Sequence, residues 1–134
     1  MQIRKAVPGD AERVYELLKT EKNKSFSVKN FREAAKHDDS IFFVAEDAGK
    51  ITGYVIGFLC PTNKGDCMLA ETRVMESERK KGIGSKLVGR FSAEAFERGA
   101  ESIYAGVAEK DMTFYTKTNF KRSPNQWVEM IRKR

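Results

Sequence analysis

The start of the chain alternates one short apolar run with two segments of helical periodicity. Residues 3–7 favour a strand, which the Pro-Gly pair that follows should end. Asp10 stands in the position of a helix cap, ahead of apolar residues at helical spacing. These apolar residues are Val14, Leu17 and Leu18. A second helix is expected to begin at Ser27.

The middle of the chain is rich in residues that favour strands. Residues 41–45 and 51–59 form two such runs, separated by the turn signal Asp-Ala-Gly-Lys at 47–50. A third strand is expected over residues 67–75, after a polar loop at 61–66. We therefore predict three consecutive antiparallel strands.

The second half changes from strand to helical periodicity at Ile83. The apolar stripe of this helix consists of Ile83, Leu87, Val88, Phe91 and Ala95. The elements expected after it are a strand at 102–107, a short helix at 111–118 and a closing strand at 126–131. The strands before and after the long helix should pair in parallel through a right-handed crossover. The fold class is thus α/β (α+β) with a mixed sheet.

The composition is that of one globular domain. The 134 residues are 40% hydrophobic and 33% charged, which fits a soluble domain and leaves no room for a second core. No apolar run approaches the ~20 residues that span a bilayer. Residues 1–5 lead into charged sequence without the apolar core of a signal peptide, so we expect a cytoplasmic location and no membrane partner.

The net charge of +6 has two functional interpretations, besides the mild basicity that is common among proteins. It could serve to bind nucleic acid or to attract a small polyanion. A nucleic-acid-binding module should interleave basic residues with exposed aromatic side chains. The aromatic residues here fall in strands that are expected to be buried, such as Phe42, Phe43 and Phe58, which argues against nucleic acid as a partner.

Two cysteines, Cys60 and Cys67, flank the polar loop at 61–66. They do not make a zinc site, because the single histidine, His37, lies far away in sequence. We expect free thiols in a reducing cytosol and no metal. A disulfide across the hairpin stays open as the alternative.

A loop with two glycines and three basic residues joins the third strand of the meander to the long helix. A helix N-terminus carries unpaired N–H groups and a partial positive charge, so it is suited to bind an anion. Gly82 and Gly84 would let a ligand approach the backbone without meeting a Cβ atom. The basic residues would add positive charge at the same place. The loop therefore predicts a ligand that bears phosphate.

The spacing in this loop discriminates between phosphate-binding motifs. It matches neither G-x-x-x-x-G-K-[ST] nor G-x-G-x-x-G, and reads R-x-x-G-x-G at Arg79, Gly82 and Gly84. This string resembles the coenzyme A pyrophosphate motif of the GNAT-type N-acetyltransferase superfamily. Residues 114–120 (Phe-Tyr-Thr-Lys-Thr-Asn-Phe) resemble the F-Y-x-x-x-G-F signature of that family, with Asn119 in place of glycine. Asn tolerates a left-handed backbone better than most residues, so the turn should be kept.

The resemblance covers nearly the whole chain and implies a single N-acetyltransferase domain over residues 1–134. The implied fold is a mixed, mostly antiparallel sheet of about six to seven strands with about four helices and a splayed parallel strand pair. The implied co-substrate is acetyl-CoA. The residues expected at the coenzyme are Thr72, Arg73, Val74, Arg79, Lys80, Lys81, Gly82, Ile83, Gly84, Ser85 and Asp111. The last of these stands near a position where the family often has asparagine.

The resemblance also implies direct transfer of an acetyl group from acetyl-CoA to a primary amine within a ternary complex. Tyr115 is the expected acid, because a phenol can protonate the departing thiolate. Glu71, an acidic residue in an otherwise apolar strand, is the expected base, with Glu109 or no dedicated base as alternatives. A non-catalytic acyl-CoA sensor of the same fold is the rival function. The acceptor (small molecule, peptide or protein) and the choice between monomer and homodimer stay open.

Overall fold

The computed structural model describes residues 1–19, 25–123 and 130–134. The strands within these ranges are β1 (Gln2–Lys5), β2 (Ser40–Asp47), β3 (Lys50–Cys60), β4 (Asn63–Val74) and β5 (Ser102–Ala105). The helices are α1 (Ala11–Tyr15), which a 3₁₀ turn (Glu16–Leu18) extends, α2 (Val28–Lys36), α3 (Ile83–Glu97) and α4 (Met112–Lys117). None of the helices described is long and apolar enough to cross a membrane.

The strands form one sheet in the order β1-β2-β3-β4-β5. Neighbouring strands are antiparallel except for β4 and β5, which are parallel. The α+β fold class, the antiparallel meander and the parallel crossover are therefore confirmed. The described ranges contain five strands, fewer than the expected six to seven. The closing strand predicted at 126–131 falls mainly on 124–129, which lie outside the described residues.

Apolar side chains fill both faces of the sheet. On one face α3 packs on β2, β3 and β4 through its predicted stripe, in which Leu87 and Phe91 are fully buried. On the other face α1 and α2 pack on β2 and β3 around Phe31 and Tyr54. The sheet therefore separates an α3 face from an α1–α2 face, and these two names are used below.

Phe58 contradicts the predicted burial of the strand aromatics. Phe42 and Phe43 are buried in β2, whereas 44% of Phe58 is exposed near the end of β3. The alternation of a strand decides to which face a side chain points, but a helix on that face decides whether it is buried. None of the described helices covers Phe58 completely, so the residue stays open to solvent.

The first two helices begin in different ways. Ser27 Oγ accepts a hydrogen bond from the N–H of Asn30 (3.0 Å), and Asn30 Oδ1 accepts one from the N–H of Ser27 (2.9 Å), which confirms the predicted start. Asp10 precedes α1 as expected, but its carboxylate caps no helical N–H group. It accepts hydrogen bonds from Val7 N–H (2.8 Å) and from the Arg4 guanidinium (2.8 and 3.0 Å). The buried carboxylate thereby ties β1 to α1.

The hairpin between β3 and β4 is tighter than predicted. Only residues 61–62 form the turn, so the prediction of a polar loop over 61–66 is wrong. Cys67 lies opposite Leu59, and both are buried on the α3 face. Cys60 follows Leu59 along the strand and therefore points to the other face. Both thiols are free, as expected, and the hairpin disulfide is not formed.

β4 and β5 separate after a short paired stretch. Their parallel register ends where Leu69 lies opposite Ala105. Directly after it, Ala70 is the extra residue of a bulge in the pairing of β4 with β3. Residues 71–74 continue to pair with β3, but no described strand pairs with them on the other side. The parting of β4 from β5 agrees with the splayed parallel pair that the family resemblance implies, and it leaves an open edge on β4.

Candidate functional site

The loop between β4 and α3 passes through the left-handed backbone conformation twice. Arg79 Nε donates to the carbonyl oxygen of Val74 (3.0 Å), which closes the loop on the end of the strand. Lys80 has φ +67° and Gly82 has φ +82°. Gly82 directly precedes α3, at a backbone conformation that residues with a Cβ atom rarely adopt. The turn therefore favours glycine at position 82.

Backbone donors at the N-terminus of α3 are unpaired. The first N–H group bonded in this helix is that of Lys86, which donates to the carbonyl oxygen of Gly82 (3.1 Å). The N–H groups of Ile83, Gly84 and Ser85 have no hydrogen-bond partner among the described residues. They carry the positive end of the helix dipole, so this terminus can bind an anion.

The lack of a side chain at Gly84 allows α4 to pack closely against α3. A Cβ atom at this position would lie 3.0 Å from Cε1 of Phe114 and 3.6 Å from Cγ2 of Val74. Contacts of 3.0 Å are shorter than carbon atoms normally make. The glycine therefore allows α3, α4 and the end of β4 to meet.

Two of the three basic side chains of the loop make contacts within the protein. Lys81 Nζ forms an ion pair with Glu78 (2.7 Å), and the Arg79 guanidinium is bound to the end of β4. Lys80 is exposed. All three basic residues are exposed just before the N-terminus of α3, so they add positive charge at that place.

Tyr115 brings its hydroxyl group to the open edge of β4. Its ring packs edge-on against Phe114 and Phe120, with centroids 4.9 and 5.5 Å away, and Asn119 closes α4 at φ +72°, as its tolerance of this conformation predicts. The hydroxyl donates to Oγ1 of Thr72 (3.3 Å). Burial raises the pKa of this phenol, and the hydrogen bond with Thr72 opposes the shift only in part. Tyr115 therefore keeps its proton at neutral pH, as a general acid must.

Glu71 lies on the opposite face of β4 from Tyr115. It pairs with Ile56, so its side chain belongs to the α1–α2 face. Arg73 donates from Nε (2.9 Å) and Nη2 (2.7 Å) to Glu71 Oε1. The second oxygen, Oε2, is buried and accepts no hydrogen bond from the described residues. One oxygen of the carboxylate is thus held by Arg73, and the other is buried near the Tyr54 hydroxyl.

Tyr54 is a residue of this site that sequence reasoning missed. It is fully buried in β3 opposite Arg73, with its ring packed on Phe31 and Phe42. Burial, reinforced by the charge of Glu71, raises its pKa, so the phenol stays neutral. Its hydroxyl has no partner at normal hydrogen-bond geometry within the described ranges. Only the register of β3 with β4 places it beside the ion pair, and no local pattern indicates that.

The other predicted residues divide between the two faces. Thr72 and Val74 belong to the α3 face, whereas Arg73 belongs to the α1–α2 face. Asp111 is exposed at the start of α4, and its side chain makes no capping hydrogen bond. The tyrosine, the end of β4 and the N-terminus of α3 thus lie together on the α3 face, beside the opening where β4 and β5 part. The acidic candidate lies on the other face of the sheet. Among the residues that the structure describes, no group of three or more His, Cys, Asp and Glu side chains could hold a metal ion.

Solved structures of the same fold cover nearly the whole chain. The aminoglycoside N-acetyltransferase AAC(6')-Iy in complex with CoA has a TM-score of 0.81 at 17% identity, with 99% of each chain covered. Glucosamine-6-phosphate N-acetyltransferase from Arabidopsis thaliana has a TM-score of 0.78 at 19% identity, over 98% of each chain. A transcriptional regulator from Bacillus halodurans C-125 has a TM-score of 0.77 at 24% identity, over 97% of this chain and 98% of that one. At these identities the likeness shows the fold alone.

The family assignment comes from a model of the family's sequences. No curated protein matches the chain. The model of the acetyltransferase (GNAT) family matches residues 11–120, which include the loop before α3 and the tyrosine helix α4. This match spans most of the chain and agrees with the mixed sheet and its open edge at β4. The chain therefore belongs to the acetyltransferase (GNAT) family.

Proposed function

We propose that this protein transfers an acetyl group from acetyl-CoA to a primary amine in a ternary complex. The observation that carries the proposal is the open edge of β4, with the Tyr115 hydroxyl beside it and the unpaired N–H groups of α3 at its end. Acetyl transfer is the reaction for which the family is named. A protein of the same fold, AAC(6')-Iy, was solved with CoA bound.

The pyrophosphate of acetyl-CoA would lie at the N-terminus of α3. The N–H groups of residues 82–85 are the proposed donors, and the helix dipole and the basic side chains at 79–81 favour an anion there. The pantetheine arm would pair with the backbone of residues 72–74, because no described strand pairs with them on that side. Asp111, at the start of α4, is the remaining proposed contact to this arm.

Acetyl transfer requires one bond to form and one to break. The lone pair of the amine forms a bond with the thioester carbonyl carbon, and the carbon–sulfur bond breaks. The sulfur leaves with the electron pair of that bond, and Tyr115 Oη donates the proton that makes it a thiol. The nitrogen loses one proton to the base or to water, which balances the proton that Tyr115 supplies.

Glu71 is the proposed base, with Oε2 as the atom that takes the proton. Arg73 holds Oε1 through two hydrogen bonds and thereby sets the direction of Oε2. Because this bond occupies the Arg73 side chain, we propose that Arg73 contacts the coenzyme through its backbone. The amine would approach from the α1–α2 face and the thioester from the open edge. An amine and a thioester that meet at this edge of the strand are held together, so the transfer does not have to await a chance encounter in solution.

Calorimetric titration with acetyl-CoA tests the coenzyme site through a charge at Ser85. Ser85→Asp places a carboxylate in the first turn of α3, where it stabilises a helix, so the variant should stay folded. Its charge should repel the pyrophosphate and weaken acetyl-CoA binding about 30-fold or more. Ala93→Asp adds the same charge at an exposed position about two turns further along α3 and should bind like the wild type.

Equal affinities of the Ser85→Asp and Ala93→Asp proteins for acetyl-CoA would contradict the pyrophosphate site. Binding of acetyl-CoA by the wild type without transfer to any amine would favour the non-catalytic acyl-CoA sensor. Thermal unfolding of both variants controls for a change in folding.

A further inference from the structure

Three large apolar side chains form an exposed row across β3, β4 and β5. Phe58 (44% exposed) lies opposite Met68 (38%), and Met68 lies opposite Tyr104 (39%). Paired residues on neighbouring strands point to the same side of a sheet, so the three side chains adjoin one another. They are called the apolar row below.

The apolar row lies on the α1–α2 face of the sheet, which is also the face of Glu71. The two neighbours of Met68 along β4, Cys67 and Leu69, are buried on the α3 face, so Met68 points the other way. Helices α1 and α2 pack mainly on β2 and β3 and leave the row open. Single exposed apolar residues are common, but a contiguous set beside a candidate site indicates a binding surface.

The apolar row adjoins the point where β4 and β5 separate. The Met68–Tyr104 pair directly precedes the Leu69–Ala105 pair, the last one before the strands part. One step along a strand is ~3.3 Å. An acceptor whose amine reaches the opening would therefore place its next few bonds over Met68 and Tyr104.

We propose that the apolar row binds the body of the acetyl acceptor, and that this acceptor is a primary amine joined by a short linker to an aromatic or aliphatic group. The inference rests on the proposed acetyl transfer and names its substrate class. Glu71 lies opposite Ile56, and Met68 lies opposite Phe58, two residues further along β3. The backbone positions of Glu71 and of the row are therefore about 7 Å apart along the sheet, a separation that a linker of a few bonds spans.

The size of the apolar row fits a small molecule. Aromatic side chains have ~150–250 Å² of surface to bury, so three large side chains at these exposures offer roughly 250 Å². A stable protein partner covers about 800 Å² on each side. Small-molecule sites, in contrast, are mainly apolar with a few polar groups that fix the orientation. An amine with one ring or one short alkyl chain matches this description.

The charged residue nearest to the row along β4 is Asp66, which lies two residues before Met68 and therefore on the same face. Its Oδ2 accepts a hydrogen bond from Asn63 Nδ2 (3.2 Å). Further along the strand, Arg73 is engaged in its ion pair with Glu71 (2.7 Å). The negative charge of Asp66 disfavours a phosphate group on the acceptor, so an apolar body without phosphate suits this face.

Acetyl-transfer assays with a matched set of amines test the inference. With acetyl-CoA and the wild-type chain, we expect kcat/KM for 2-phenylethylamine and hexylamine to exceed that for glucosamine about tenfold or more. Met68→Ser should raise the KM for 2-phenylethylamine about tenfold and leave the Kd of acetyl-CoA unchanged. Phe96→Ser removes another exposed apolar side chain (54%), from α3, and should change neither quantity.

A higher kcat/KM for glucosamine, or equal losses in Met68→Ser and Phe96→Ser, would overturn the inference. Binding of acetyl-CoA without transfer to either apolar amine would also overturn it, and would leave the coenzyme site in place. Self-association that Met68→Ser abolishes, measured by sedimentation, would assign the row to a second copy of the chain instead. Absence of acetyl-CoA binding by the wild type would remove the proposed function and this inference together.

Discussion

The hydroxyl group of Tyr115 donates a hydrogen bond to Oγ1 of Thr72 over 3.3 Å, between residues 43 positions apart in sequence. This bond joins α4 to the part of β4 that has no parallel partner among the described residues. A protonated phenol and a free strand edge are thereby held side by side. Under the proposed function, the phenol is within reach of a thioester that lies in the opening.

Tyr115→Phe should lower kcat about 100-fold. It should leave the Kd of acetyl-CoA within about twofold, because the remaining ring still packs against Phe114 and Phe120. Steady-state kinetics and calorimetry measure the two quantities. Thr72→Val is the matched control, since it removes the partner of the hydrogen bond and keeps the phenol. An equal loss of kcat in both variants would mean that the bond positions the strand and that Tyr115 is not the acid.

The alkaline fall of the wild-type kcat should have its midpoint above pH 10. Burial raises the pKa of Tyr115 above its usual value of 10.0, so most of the phenol still carries its proton at that pH. The measurement is kcat at saturating acetyl-CoA from about pH 8 to about pH 11. A fall with its midpoint below pH 10 that disappears in Tyr115→Phe would contradict the raised pKa.

Glu71→Gln should lower kcat/KM about 100-fold if this carboxylate is the base. The amide keeps an oxygen for the hydrogen bonds from Arg73, so the ion pair is lost without a change of shape. Glu109 is exposed on the turn before α4, and Glu109→Gln should behave like the wild type. A loss of kcat/KM in Glu109→Gln but not in Glu71→Gln would assign the base to Glu109. Wild-type kcat/KM in both variants would mean that no dedicated base is needed.

Gly84→Ala should be less stable than Gly89→Ala by roughly 1–2 kcal/mol in urea unfolding. Both substitutions add a methyl group to α3, but at position 84 it would lie 3.0 Å from the Phe114 ring, whereas nothing lies within 4 Å of it at position 89. Gly89→Ala alone should stabilise the helix by up to about 1 kcal/mol. Equal stabilities would show that α4 yields to the extra methyl group without cost.

Asp10→Asn should destabilise the fold by about 3 kcal/mol at neutral pH. The carboxylate is buried and binds Arg4, Arg13 and the N–H group of Val7, so its loss leaves these partly buried donors without their charged acceptor. Asp47→Asn alters an exposed ion pair on β2 and should have almost no effect on the free energy of unfolding. Urea unfolding compares the two variants.

The Asp10 carboxylate should also make the free energy of unfolding depend on pH. Its hydrogen bonds to Arg4 lower the pKa of Asp10 below the value of 3.8 expected for an unfolded chain, although burial opposes this. The stabilisation is therefore complete above about pH 4 and is lost as the pH falls below that value. The unfolding free energy of Asp10→Asn should fall less steeply in this range. Identical slopes for wild type and variant would contradict the lowered pKa.

The sequence by itself determined the features that depend on neighbours within a few positions. The cap at Ser27 and the apolar stripe of α3 follow from periodicity and local backbone chemistry, and the structure contains both. The left-handed residue at Asn119 was expected from the resemblance to a family signature with glycine at that position, and it is also present. The R-x-x-G-x-G spacing indicated an anion site, and the N-terminus of α3 has the unpaired donors that such a site needs. Local rules suffice here because capping and helical spacing act within about one turn.

Only the tertiary structure decided which residues meet across the sheet. The bulge at Ala70, the opposite directions of Cys60 and Cys67 and the position of Tyr54 beside the ion pair all depend on strand register. A shift of one residue would turn every side chain of a strand to the other face, and no local pattern sets that register. The exposure of Phe58 depends likewise on which strands the helices cover. Contacts between residues far apart in sequence decide these features, so they had to be read from the fold.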